Sequence, residues 1–151
     1  MGQGRIGIVD QRDEQYLRRA VALAAAAPAV GGRPFGSLLV GPDGAVLAED
    51  HNTVPGDGDI TAHPELKLAR WAARELDAAT AAGTTMYTSC EPCDMCAYAI
   101  DRSGLGRVVF ALSSAQFQEL SGVAAPKRVE RAGPALFDEA RVPIDDFFGQ
   151  P

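Results

Sequence analysis

Apolar positions recur at helical spacing over 13–27, where Tyr16, Leu17, Ala20, Val21 and Leu23 share a face. Pro28 and the run Gly31-Gly32-Arg33-Pro34 predict where that helix stops. Two short apolar runs, 35–40 and 45–49, flank Gly41-Pro42-Asp43-Gly44, the pattern of an antiparallel hairpin. A polar loop over 51–60 follows. Leu66, Ala69, Ala73 and Leu76 then form a stripe that predicts a helix over 61–79, widened by Trp71 and Ala72. Thr61 is its expected N-cap, with Pro64 at the third helical position, where a missing N–H costs the helix nothing. The stretch 84–89 has strand composition, 92–103 reads as a helix stopped by Gly104 and Gly106, and 107–112 reads as a strand. Strand, helix and strand at these lengths predict a right-handed crossover with parallel strands. Beyond 112 the pattern weakens. Short helices are expected at 114–120 and 134–141, with a candidate edge strand in 123–131.

Composition narrows the class without naming it. With 151 residues, 46% apolar and 23% charged, the chain is read as one domain, 1–151, able to build a core without disulfides. No apolar run reaches the roughly 18 residues that span a bilayer, and 1–15 lacks the apolar stretch of a signal peptide. A cytoplasmic, membrane-free protein is the expectation. The net charge of −6 disfavours a nucleic-acid partner, because such binding depends heavily on neutralising phosphates. Lys127, Arg128 and Arg131 are the densest basic cluster, and Glu130 interrupts it. It reads as solvated surface.

Cysteine placement changes the picture. All three cysteines lie within 90–96, an odd and clustered set that suits metal or thiol chemistry better than a disulfide framework. Cys93 and Cys96 are three apart at a predicted helix start, so they share a face, and the helix dipole favours their thiolates. His63 at another helix start makes a third ligand, a set that suits zinc. Three protein ligands leave a tetrahedral position open for water, the layout of a catalytic zinc. Glu65, two residues from His63 and not needed as a ligand, is placed to move a proton. The pattern His-x-Glu followed by Pro-Cys-x-x-Cys matches the signature of zinc nucleobase deaminases. Two other readings compete with this one. Cys90 could close a structural Cys3His site, and Cys93-x-x-Cys96 alone could be a redox pair. His51 reads as a surface or capping histidine, Trp71 as core, and Asp59 either as an Asx-turn residue or as a substrate contact.

At these residues the chain resembles the cytidine deaminase superfamily, in its branch of guanine deaminases, fungal-type cytosine deaminases and bacterial tRNA adenosine deaminases. The resemblance runs from about Arg33 to Leu112 and includes Pro34-Phe35-Gly36, Asn52, Asp59-Ile60-Thr61-Ala62-His63 and Thr88-Ser89-Cys90-Glu91-Pro92-Cys93. It implies an α/β/α sandwich around a five-stranded mixed sheet and a homodimer. It implies Glu65 as proton shuttle and His63, Cys93 and Cys96 as ligands to Zn2+. Asn52 would hold a ring nitrogen or carbonyl, Phe35 would pack on the heterocycle, and the Glu91 carbonyl would receive the exocyclic amine. The acidic-aromatic run Asp145-Asp146-Phe147-Phe148 would cover the pocket, with Asp146 offering its carboxylate.

One departure bears on the substrate. The family mostly places Ala or Gly between His and Glu and uses that residue's N–H toward a substrate carbonyl, whereas Pro64 has none. The reaction expected is hydrolytic loss of ammonia from a free, nucleobase-like small molecule. A guanine-like base is favoured. Cytosine, isocytosine or an aminotriazine is the alternative, and a non-catalytic Cys3His zinc module stands further off.

Overall fold

The computed structural model describes residues 7–149. The chain begins with helix α1, Gln11–Ala26, which runs into a 3-10 turn at Ala27–Val30. Strands β1 (Gly36–Val40) and β2 (Val46–His51) follow, then a helical turn α2 (Val54–Asp57) and helices α3 (Pro64–Glu75) and α4 (Ala78–Ala82). The order continues β3 (Thr85–Cys90), α5 (Asp94–Ser103), β4 (Arg107–Leu112), α6 (Ser114–Ser121) and α7 (Phe137–Phe148). The sheet order is β2-β1-β3-β4. β1 runs antiparallel to β2 and β3, while β3 and β4 are parallel across α5.

Strand alternation sorts the core into two layers. Leu38, Val40, Tyr87 and Val109 face α1 and meet Leu17 and Ala20. Leu39 and Met86 face the opposite side and meet Leu68, Ala69 and Ala72 of α3 and Ile100 of α5. β1 is buried along its whole length, the signature of a strand covered on both faces. Trp71 packs at the margin of the second layer, as a core residue. α1 lies directly on β1 because Gly36 has no side chain: a Cβ there would stand 2.6 Å from the Ala24 nitrogen. Asp10 starts α1 through a reciprocal capping box with Asp13.

Three expectations need correction. The first concerns the α3 helix, which does not run over 61–79. Asp59 accepts from both the N–H and hydroxyl of Thr61 (2.8 and 2.7 Å), folding 59–62 into a turn and withdrawing Thr61 as a cap. His63 is the N-cap instead, and Pro64 takes the first helical position, where its φ is already suitable. Leu76 is extended, and Asp77 starts α4 by accepting from the Thr80 N–H at 2.7 Å. Second, the described residues form four strands rather than five. The stretch 123–131 is irregular and wholly exposed: Pro126 removes a ladder donor, and Lys127 and Arg131 interrupt the face that Val123, Ala125 and Val129 would lay on a sheet. Third, the last helix begins at Phe137 and continues through Pro143, later and longer than 134–141. No described helix is long and apolar enough to cross a membrane.

Candidate active site

The candidate site lies where β3 ends and two helices begin, the end of an α/β sheet at which ligands commonly sit. α3 starts with His63 as N-cap, and α5 starts with Cys93 as N-cap, one turn before Cys96. Two helix N-termini therefore converge, and both favour negative charge on the thiols. His63 Nδ1 lies 3.7 Å from Cys93 Sγ and 3.5 Å from Cys96 Sγ. All three donor atoms fall within 4.8 Å of one another. Tetrahedral zinc with bonds of about 2.3 Å to sulfur and about 2.0 Å to nitrogen holds such atoms roughly 3.6 Å apart. The donor set and its spacing fit that ion.

Electrostatics couple the three groups to one another. Hydrogen bonds from Cys96 and His63 hold the Cys93 thiol below its ordinary range. Cys96, buried and bonded to that same sulfur, is pushed the other way. Bonding to Cys93 raises His63. Cys90, at the end of β3, stands outside the group of mutually close donors. Burial raises its thiol, so it sits there as an inert core residue.

Glu65 follows His63 by two residues and is 5% exposed. Burial raises its pKa, opposed by the Thr88 hydroxyl. Thr88 donates to Oε1 at 2.8 Å and itself accepts from Ser37 at 2.8 Å, so β1 and β3 together orient one carboxylate oxygen. The other, Oε2, is the one on the Cys96 side, 3.9 Å from that sulfur.

Of the remaining predicted residues, Asn52, Phe35 and Glu91 are linked to this centre through chain neighbours, and Asp146 is not. Asn52, 2% exposed, is tied to Phe35 through its own N–H (3.0 Å). The next residue, Thr53, bonds to Ala62, beside His63 (3.1 Å). The ring of Phe35 meets that of Phe117 edge-on, centroids 5.4 Å apart. Glu91 precedes the Pro92-Cys93 start of α5, and its carboxylate receives the Ser114 N–H at 3.0 Å, anchoring α6. Asp146 lies on α7, where every residue is exposed, and is not brought to the centre within this chain. Asp59 makes its Asx turn, and His51 Nδ1 pairs with the Asn52 carbonyl at 3.0 Å. Ser37, Thr88 and Phe117 were not singled out from sequence. What marks the first two is a hydroxyl at a buried position of a strand. For Phe117 it was an aromatic ring within a polar helix.

Comparisons agree with this geometry. The sequence profile of the family described as the cytidine and deoxycytidylate deaminase zinc-binding region matches residues 10–112. A probable cytosine deaminase of Schizosaccharomyces pombe is 34% identical over 93% of this chain and 94% of its own length. A Bacillus subtilis guanine deaminase is 46% identical over 58% of this chain and 56% of its own. The crystal structure of guanine deaminase from that organism superposes with a TM-score of 0.74 at 30% identity, over 91% of this chain and 94% of that one. A tRNA-specific adenosine deaminase of Haemophilus influenzae is 37% identical over 67% of this chain and 58% of its own. By these matches the chain belongs to the cytidine and deoxycytidylate deaminase family, a family of hydrolases acting on C–N bonds.

Proposed function

We propose that the chain is a zinc-dependent aminohydrolase of free, nucleobase-like heterocycles, acting as a single deaminase domain. One observation carries the reading. Glu65 is a buried carboxylate beside a three-donor metal cluster, held by Thr88 and not required as a ligand. His63, Cys93 and Cys96 would hold zinc, which when bound supplies Lewis-acid activation of water at neutral pH. Glu65 moves the protons. It takes one from the attacking water and returns one to the departing amine, so that C–NH2 becomes C=O and ammonia leaves. Because Thr88 occupies Oε1, Oε2, which faces the metal donors from the Cys96 side, is the oxygen assigned to that exchange. Asn52 holds a ring nitrogen or carbonyl, Phe35 and Phe117 form an aromatic wall, and the Glu91 carbonyl receives the exocyclic amine.

A guanine-like base is the first choice, supported by Ser89-Cys90-Glu91-Pro92-Cys93 and by the likeness to the Bacillus subtilis enzyme. Cytosine, isocytosine or an aminotriazine is the second. Pro64 offers no N–H to a substrate carbonyl, and the Schizosaccharomyces pombe protein matches nearly end to end. The charge of −6 speaks against tRNA. We further infer a homodimer in which α7 carries Asp146 toward a neighbouring pocket, supported by the exposure of its apolar residues.

Ammonia release over guanine, cytosine, isocytosine, aminotriazines, adenine, nucleosides and tRNA tests the reading. Turnover of a free base is expected, and turnover of tRNA alone would falsify it. Glu65→Gln should yield folded, zinc-loaded protein slowed by about 100- to 10,000-fold, the usual worth of a general acid–base.

A further inference from the structure

Lys67 belongs to α3, one turn beyond His63, whose carbonyl accepts its N–H at 3.1 Å. Its ammonium leaves the helix toward the end of β2 and the loop after it, where it makes three hydrogen bonds. It donates to Asp50 Oδ1 at 3.0 Å, to the His51 carbonyl at 3.0 Å and to Thr53 Oγ1 at 2.9 Å. Thr53 in turn donates to Asp57 at 2.6 Å. All three ammonium protons are used, which is the full capacity of a lysine. The side chain is 19% exposed, unusual for a residue type that normally keeps its charge in water.

The residue that the ammonium brackets is Asn52. Its neighbours on both sides are gripped, and its own Oδ1 accepts from the N–H groups of Val54 (3.1 Å) and Arg33 (3.3 Å). Those two donors decide which way the amide faces, since Nδ2 in that place would meet N–H against N–H. Nδ2 therefore points the other way. Among the described residues it has no protein partner, yet no buried side-chain polar atom there is left unpaired, so Nδ2 keeps an opening.

We propose that Lys67 is the positioning residue that holds Asn52 as a fixed hydrogen-bond donor for the substrate. This rests on the deaminase reading above and deepens it. The heterocycle must present an acceptor, a ring nitrogen or a carbonyl, to Asn52, and a base turning an N–H to that edge is refused. Because Lys67 and Glu65 share the first turns of α3, the clamp also ties the loop that holds the base to the helix that moves the proton.

The test is Lys67→Met, which keeps the stem and removes all three donors, with Lys67→Arg and the milder Thr53→Val beside it. On the base that the wild type deaminates, Lys67→Met should raise KM by about tenfold or more while kcat stays within roughly threefold, the mark of lost ground-state positioning. Zinc content should not change. Amide hydrogen exchange over 51–53 should quicken in the ligand-free protein. Thr53→Val should show the same changes in smaller measure, and Lys67→Arg should recover part of the loss. In an Asn52→Ala background, Lys67→Met should add nothing, since the two act through one contact. An unchanged KM in Lys67→Met, additive losses in the double variant, or unaltered exchange over 51–53 overturns the proposal. Absence of ammonia release by the wild type from every base marks failure of the deaminase reading itself, and this proposal falls with it.

Discussion

At Thr88, a single hydroxyl joins two strands to a helix. It accepts from Ser37 and donates to Glu65, and Ser37 and Thr88 are fully buried. Thr88→Val preserves shape but leaves Ser37 and Glu65 without their partner, at about 1–3 kcal/mol for each stranded group. We expect a loss of about 2–6 kcal/mol in chemical denaturation, on the same principle, together with slower turnover. Thr88→Ser should recover most of both. If Thr88→Val keeps full kcat, the hydroxyl does not orient the carboxylate. Asp13 is a second residue with a measurable signature. Buried in α1, it accepts from Arg107 at 2.7 and 2.8 Å and from Tyr87 at 2.7 Å. The Arg107 guanidinium holds its carboxyl well below the usual range, while burial and Asp13 push Tyr87 up to about 12. A carboxyl depressed in the folded state stabilises above its unfolded pKa of about 3.9 and loses that contribution as pH falls toward the folded value. A phenol raised in the folded state works oppositely and loses stability above about pH 10. Arg107 is 40% exposed, so Asp13→Asn should cost about 2–3 kcal/mol, less than breaking a fully buried pair. That gap should stay flat between about pH 5 and 9 and narrow below about pH 4. Urea melts at several pH values measure it. A gap that widens in acid contradicts the sign.

Elements were legible in the sequence wherever a periodicity met a partner inside the chain. α1, the β1–β2 hairpin and the β3–α5–β4 crossover stand within a residue or two of expectation, because their apolar faces close the two core layers. The convergence of His63, Cys93 and Cys96 was legible for a related reason. Cys93 and Cys96 share one helix turn, and His63 needs merely another helix start. What failed depends on side-chain competition that periodicity does not register. Asp59 drew Thr61 into a turn, so α3 begins at Pro64. In the irregular stretch after α6, Pro126 and the charges of 127–131 interrupt the few apolar positions, which stay exposed. α6 itself was foreseen as a helix but not as part of the site, since its link is one ring, Phe117 on Phe35, plus the Glu91 cap at Ser114. That link makes a prediction about an element. Phe117→Ala should leave Tm nearly unchanged, because α6 is largely exposed. If Phe117 also packs on the bound heterocycle, an aromatic contact worth about 0.5–1.5 kcal/mol is lost and KM for the base should rise by about two- to tenfold. A lowered Tm with constant KM would show that the ring belongs to the fold rather than to the pocket.

For the whole molecule, the question is what α7 is for. Every residue over 118–149 is exposed, so neither layer of the core draws on this end of the chain. Yet Phe137, Val142, Ile144, Phe147 and Phe148 are each more than half exposed, on a helix that also carries Asp138, Glu139, Asp145 and Asp146. Isolated helices of this length are marginal in water, and most gain their stability from packing an apolar face. Five large apolar side chains beside four carboxylates therefore call for a surface outside this fold, and a second copy is the partner always present. If that copy covers α7, a chain ending at Leu136 should keep its Tm within a few degrees and bind the same zinc, while losing dimerisation and much of kcat/KM. Sedimentation and steady-state kinetics on the two lengths separate the outcomes. A full-length chain that sediments as a monomer removes the dimer, and equal kcat/KM in both lengths removes Asp146 from the pocket. A shortened chain that no longer folds would place α7 in the core, against the exposure of every one of its residues.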